Sequence, residues 1–210
     1  MRFSRNIEKI NMSKTAEVAD LALSLKEQGH KIVNMATGEL SFKPDASVRK
    51  AACRTINKGE TLYTQVAGLN ELRNVISAKL KKDLKIEYKC DEIIVSNGGK
   101  QVIYNALQGT INKGDEVIII SPYWVSYPEI IKLCGGKPKV LNTTRREGFS
   151  INTEKLEKLI TSKTKWIILN SPNNPTGVVY SSETIKKLVL VLRKHPDIWI
   201  LSDDIYEKLN

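Results

Sequence analysis

Two histidines, His30 and His195, and three cysteines, Cys53, Cys90 and Cys134, are the whole supply of soft ligands in 210 residues. The cysteines lie far apart, with no CxxC pair and no adjacent histidine, so their spacing supports neither a zinc site nor a disulfide framework. Each is read as a small apolar residue of a reducing compartment. Each histidine stands beside a lysine at a segment end and is read as a solvated or capping group. No run approaches the roughly 18 to 20 apolar residues of a membrane span. The basic start Met1-Arg-Phe-Ser-Arg leads into no apolar core and no small-residue cleavage site. A secretory signal is therefore not expected, and the expected location is cytoplasmic. Low-complexity linkers, internal repeats, a P-loop and a GxGxxG fingerprint are all missing.

What is present is the composition of a globular protein, 41% hydrophobic and 27% charged, with a net charge of +10. The lysines are spread along nearly every helical segment, as in Lys81-Lys82 and Lys186-Lys187, with no basic block and no interleaved aromatics. That dispersion speaks for a solvated surface rather than a nucleic-acid footprint. A positive field still suits an anionic substrate or cofactor.

Val18, Leu21, Ala22 and Leu25 recur at helical spacing, with Gly29 as the stop. A short strand is expected over Lys31–Met35, emptying into the loop Thr37-Gly38-Glu39. Pro44, at a first-turn position, opens a helix through Ile56 that Gly59 ends. Leu62-Tyr63-Thr64 reads as extended, and a further helix runs from about Leu69 to Lys82. From Ile93 the rhythm changes. Apolar strands at Ile93–Ser96, Val117–Ser121, Lys139–Leu141, Trp166–Asn170 and Trp199–Ser202 alternate with amphipathic helices. That alternation predicts an α/β fold, a doubly wound and mostly parallel sheet covered on both faces. A mild composition shift near residue 90 suggests a smaller helical portion ahead of it.

The chemistry is expected where these strands end. Gly98-Gly99-Lys100-Gln101 joins a strand to a helix, and the bare first amides of a helix suit a phosphate. Ser121-Pro-Tyr-Trp124 presents a ring that can stack on a flat heterocycle. Ser171-Pro-Asn-Asn174-Pro-Thr-Gly177 forbids helix and central strand and forms a rigid loop. Ser202-Asp203-Asp204 ends the last strand, and a carboxylate there could face a protonated ring nitrogen. A phosphorylated aromatic cofactor fits this set.

With Tyr63-Thr-Gln-Val-Ala-Gly68-Leu-Asn-Glu-Leu-Arg73 and Asp203-Asp-Ile-Tyr206 in the same order, the chain from about Ser13 onward resembles a family. It is similar to the amino-terminal half of a class I, fold-type I aminotransferase dependent on pyridoxal 5'-phosphate, in the bacterial aspartate aminotransferase branch. The resemblance implies a large domain incomplete at its carboxyl end (41–210), preceded by an arm and part of a small domain (1–40). It implies that Gly99 and Lys100 offer amides to the phosphate and that Trp124 stacks on the pyridine ring. Asn174 would bond the phenolic oxygen and the substrate carboxylate, Asp203 would pair with the ring nitrogen, and Tyr206 would share the phenolic oxygen. Gly38 would touch the substrate, and Lys100 would favour acidic side chains, hence aspartate and glutamate as amino-group donors to a 2-oxo acid. Tyr63 would reach the phosphate of a partner subunit, so a homodimer is expected.

Two departures stand out. The substrate-side loop reads Gly38-Glu-Leu-Ser-Phe42 where the family has Gly-Glu-Pro-Asp-Phe, and Asp204 replaces a glutamate. The family's Schiff-base lysine lies some thirty residues beyond its Asp-x-x-Tyr motif in a Ser-Lys context, and no lysine here, Lys208 included, combines that position with that context. No catalytic residue is therefore assigned, and a truncated chain that does not transaminate alone is expected, with an exposed sheet edge that favours aggregation. A carbon-sulfur lyase relative and a non-catalytic ligand-binding or interaction module are the alternatives.

Overall fold

Val117, Ile118, Ile119 and Ile120 are all buried, which alternation with solvent cannot produce and burial on two faces can. They form β1 (Glu116–Ser121), the second strand of a four-stranded parallel sheet in a computed structural model describing residues 4–11, 13–36, 38, 40 and 42–209. With β2 (Lys137–Asn142), β3 (Thr164–Asn170) and β4 (Trp199–Asp203), the order is β2-β1-β3-β4. The chain leaves β1 for β2 on one side and returns to β3 on the other. The order therefore reverses between β1 and β3, where a crevice opens outside the carboxyl ends of the strands.

The two-residue period of the strands sorts the core into two layers. Val117, Ile119, Trp166 and Ile168 pack with Ile103 and Leu107 of one helix (Gly99–Thr110) and Ile130 and Ile131 of another (Ser126–Leu133). Ile118, Ile120 and Ile167 pack on the other face with Leu156 of a short helix (Thr153–Leu159) and Leu188, Val191 and Leu192 of a longer one (Ser182–Leu192). Helices therefore cover both faces, as the alternating pattern predicts. The two helices on this second face begin where the sequence supplies a cap: Asn152 accepts from Lys155 N at 2.9 Å and Ser181 from Thr184 N at 3.1 Å.

Two compact units are present, Lys14–Gly98 on the one hand and Met1–Ser13 with Gly99–Asn210 on the other. One division, between Gly98 and Gly99, falls near the composition shift, and the other lies between Ser13 and Lys14. In the second unit Asn6 Nδ2 donates to Leu133 O at 3.1 Å and Asn11 N to Glu129 Oε2 at 3.1 Å, tying the amino-terminal segment to the helix after β1.

Among its described residues the first unit holds three α-helices: α1 (Lys14–Glu27), α2 (Ala46–Asn57) and α3 (Asn70–Leu84). In chain order the four helices around the sheet are then α4 (Gly99–Thr110), α5 (Ser126–Leu133), α6 (Thr153–Leu159) and α7 (Ser182–Leu192). Gly29 and Gly59 end α1 and α2 with φ of 88° and 71°, the left-handed conformation that only glycine adopts without steric cost.

Several expected elements differ. Pro44 is not the first helical residue: it precedes the N-cap Asp45, whose carboxylate accepts from Ser47 N at 2.8 Å. Lys31–Met35 and Leu62–Thr64 are irregular, and Thr37, Glu39 and Ser41 of the substrate-side loop lie outside the described residues. Ile93–Ser96 is extended but belongs to no strand; Val95 N donates to Ala67 O at 3.0 Å. An apolar run supplies the burial pattern of a strand, but only a neighbouring backbone supplies the ladder. His195 is not simply solvated, because its Nε2 is buried without a hydrogen-bond partner among the described residues.

Candidate active site

The carboxyl ends of β1, β3 and β4 and the start of α4 surround a cavity of about 370 Å³. Each wall comes from a segment that local sequence forces out of regular structure. After β1, Pro122 breaks the strand and Trp124 precedes α5. After β3, the prolines at 172 and 175 prevent continuation, and the loop closes on itself. Asn173 N donates to Val178 O at 3.0 Å, Thr176 Oγ1 to Asn173 Oδ1 at 2.8 Å and Gly177 N to Asn173 O at 2.7 Å. Asn173 is buried, so this loop is a packed wall rather than a tether. The Ser121–Pro122, Ser171–Pro172 and Asn174–Pro175 peptide bonds are cis.

Gly99, Lys100, Trp124, Asn174, Asp203 and Tyr206 all line this cavity. Gly99 is the first residue of α4, and a Cβ built there meets nothing within 4 Å, so the helix start is bare on that side. The Lys100 ammonium lies 5.1 Å from the centre of the Trp124 ring, a cation–π contact that holds a positive charge in the cavity. Asn174 Nδ2 donates to the Tyr206 hydroxyl at 3.2 Å. Gly38 and Tyr63 belong to the helical unit, each in an irregular stretch, with Tyr63 fully exposed.

Two residues absent from the sequence-derived set complete the walls. The Tyr127 hydroxyl donates to Asp203 Oδ2 at 2.5 Å, while Ile205 N donates to the other carboxylate oxygen at 3.3 Å. Burial pushes the Tyr127 phenol far above its ordinary range, and the Asp203 carboxylate raises it further, so the phenol stays a donor. Its ring meets Trp124 edge-on, with centroids 5.4 Å apart. Tyr127, in the first turn of α5, donates from its backbone N to Trp124 O at 3.0 Å, and the run of three aromatics in five residues is the signal that could have marked it. Asn170, buried at the last position of β3, donates from Nδ2 to Asp203 O at 2.9 Å and accepts at Oδ1 from Asn174 N at 2.7 Å. Its signal is register: β3 and β4 pair Asn170 with Asp203.

A larger cavity, of about 690 Å³, lies at the opposite ends of β3 and β4, beside Thr164 and Trp199. Of its charged groups, Lys194 is paired with Glu157 at 2.7 Å, and Lys165 and Asp197 also line it. The chemistry converges on the smaller one. A helix start free of side chains, a cation, an aromatic face, an amide and phenol pair and a carboxylate can together bind a flat anionic ring compound.

A doubly wound sheet with these groups at its carboxyl edge defines a class of ligand-binding α/β protein, and comparison narrows it. The family model described as aminotransferase class I and II matches residues 30–209, and the chain belongs to that family. It is 46% identical over 206 residues to the probable aspartate/prephenate aminotransferase of Rickettsia bellii (strain RML369-C), covering 98% of this chain and 52% of that relative. The aspartate aminotransferase of Thermotoga maritima superposes with a TM-score of 0.93 at 39% identity, over 99% of this chain and 55% of its own. That of Thermus thermophilus with maleate gives 0.92 at 38%, over 96% and 53%. The chain thus spans about half the length of the curated relatives it matches.

Proposed function

We propose that these residues form the cofactor-binding portion of a pyridoxal 5'-phosphate-dependent aminotransferase that moves an amino group between aspartate or glutamate and a 2-oxo acid. The observation that carries this is the meeting of Trp124, Asn174, Asp203, Tyr206 and the start of α4 around one cavity at the reversal point of the sheet. When bound, the cofactor supplies an electron sink for the bonds at the substrate's α-carbon. The protein's part is to bind, orient and hold charge. The Asp203 carboxylate, kept by a neutral phenol donor, would hold a proton on the ring nitrogen. Trp124 would support the ring, and Asn174 with Tyr206 would donate toward its phenolic oxygen. The amides of Gly99 and Lys100 would receive the phosphate.

The Lys100 ammonium is the cation in the cavity that suits an acidic substrate, and maleate with the Thermus thermophilus relative supports a dicarboxylate. Gly38 would give a backbone contact to substrate. Exposed Tyr63 would serve a partner's phosphate in a cytoplasmic homodimer, with residues 41–210 in the large domain and 1–40 in the arm and small domain. Because the two Ser-Lys pairs, Ser13-Lys14 and Ser162-Lys163, both precede the Asp203-to-Tyr206 motif and Lys208 follows a glutamate, we assign these 210 residues cofactor binding without transamination of their own. Titrating the purified chain with pyridoxal 5'-phosphate, followed by tryptophan fluorescence, should give saturable quenching that Asp203→Ala weakens; no quenching refutes the cofactor reading. Turnover of aspartate with 2-oxoglutarate by the chain alone would refute the second claim.

A further inference from the structure

We propose that Asn170 is a positioning residue that locks the carboxylate wall of the cavity to the amide wall. The inference rests on the cofactor reading above only for its consequence in binding. Asp203 O, at the end of β4, and Asn174 N, in the loop after β3, are backbone groups of two different segments, and both bond the one planar amide of Asn170. The two bonds, at 2.9 and 2.7 Å, belong to a closed circuit. From Asn170 it runs to Asn174, whose Nδ2 reaches the Tyr206 hydroxyl at 3.2 Å, and back along the turn from Tyr206 to Asp203. A circuit has fewer loose ends than a chain of bonds, so the carboxylate and the side-chain amide are held at a set separation rather than each by its own loop.

The chemistry of the position is narrow. One donor and one acceptor must project from the same short side chain, buried to 4% exposure, and aim in opposite directions. Alanine abolishes both bonds and leaves a half-buried carbonyl and N–H without this partner. Aspartate retains the acceptor for Asn174 N but sets an anion against Asp203 O. Serine reaches neither partner well. Asn170 lines the cavity but acts chiefly through Asp203 and Asn174, and its removal should loosen both walls while leaving the Asp203 carboxylate and the Asn174 amide in the chain.

The test compares the parent chain with Asn170→Ala, Asn170→Asp, Asn174→Ala and the double variant Asn170→Ala/Asn174→Ala. Pyridoxal 5'-phosphate affinity is read by fluorescence and by the absorbance band of the bound cofactor, and exchange of the Asn174 backbone amide is read without cofactor. Asn170→Ala should weaken binding by about tenfold or more, as expected for a lost pair of buried bonds, and should shift the absorbance band through loss of the contact at the phenolic oxygen. The double variant should bind within about twofold of Asn174→Ala, since coupled sites are not additive. Asn170→Asp should keep Asn174 amide protection while binding more weakly, and this isosteric change carries the comparison if alanine prevents folding. Binding within twofold of the parent by both Asn170 variants, or full additivity in the double variant, overturns the proposal. If the parent binds no cofactor, the cofactor reading fails separately. The proposal is then decided by exchange: protection lost in Asn170→Ala and kept in Asn170→Asp upholds it, and protection unchanged by either overturns it.

Discussion

Helices α1, α2 and α3 of the unit Lys14–Gly98 contain no buried residue, whereas strands β1 and β3 of the other unit are buried almost throughout. Val18 and Leu21 of α1 are more than half exposed at 52% and 59%, while Leu107, Ile118 and Ile167 are wholly inside. Many of the apolar residues of α1 to α3 are alanines, whereas those of α4 to α7 are mostly larger, so composition accounts for part of the contrast. An amphipathic helix hides its stripe only against a second surface, and three short helices supply little of it. Parallel strands flanked by helices carry that second surface within themselves. The scaffold that positions the cavity therefore has a core of its own.

The largest test of this contrast is a cavity in that core. Leu107→Ala should cost about 2–5 kcal/mol in urea denaturation, and Leu72→Ala on α3, at 43% exposure, should stay within about 0.5 kcal/mol. Equal losses would break the comparison. A smaller effect probes the exception in the helical unit, the close approach of Gly68 to the extended segment. A Cβ at Gly68, where φ is 99°, would lie 2.8 Å from Val95 Cβ. Gly68→Ala should cost about 1–3 kcal/mol through overpacking, and a neutral result would show that the segment yields.

Tyr127 sharpens the contrast through pH. Its phenol is raised above the ordinary 10.0, chiefly by burial and then by the Asp203 hydrogen bond, so the folded state keeps a proton that the unfolded chain loses. The resulting stability is complete below pH 10 and falls as pH rises above it. Tyr127→Phe should remove that alkaline slope and cost about 1–2 kcal/mol at neutral pH; an unchanged slope in denaturation midpoints would show that another group titrates. The smallest effect on stability is expected at the edge. Ile200 on β4 is 50% exposed, and Ile200→Lys should alter the denaturation midpoint little while reducing self-association in sedimentation, as charged edges do. Undiminished association would place the sticky surface elsewhere.

Much of the cavity was legible in the sequence because its walls are strand ends, and strand ends announce themselves by prolines, glycines and abrupt polarity after an apolar run. Trp124, Asn174 and Asp203 all stand at such points. Ile93–Ser96 shows where that logic stops, since its apolar run predicts a strand and only a neighbouring backbone makes one. Lys31–Met35 fails for the same reason. Asn170 and Tyr127 escaped because each matters through what lies opposite it.

The sequence by itself determined the alternation of strand and helix from β1 onward and the ordered motifs that join the chain to its family. These are local: each depends on residues within a few positions, so one dimension is enough to read them. Tertiary structure alone decided that Asn170 faces Asp203 across two strands, that Tyr127 donates to the same aspartate, and that the polar ends of β1, β3 and β4 meet around one cavity. Register and strand order bring residues 33 and 76 positions apart within hydrogen-bonding distance, and no local spacing encodes that.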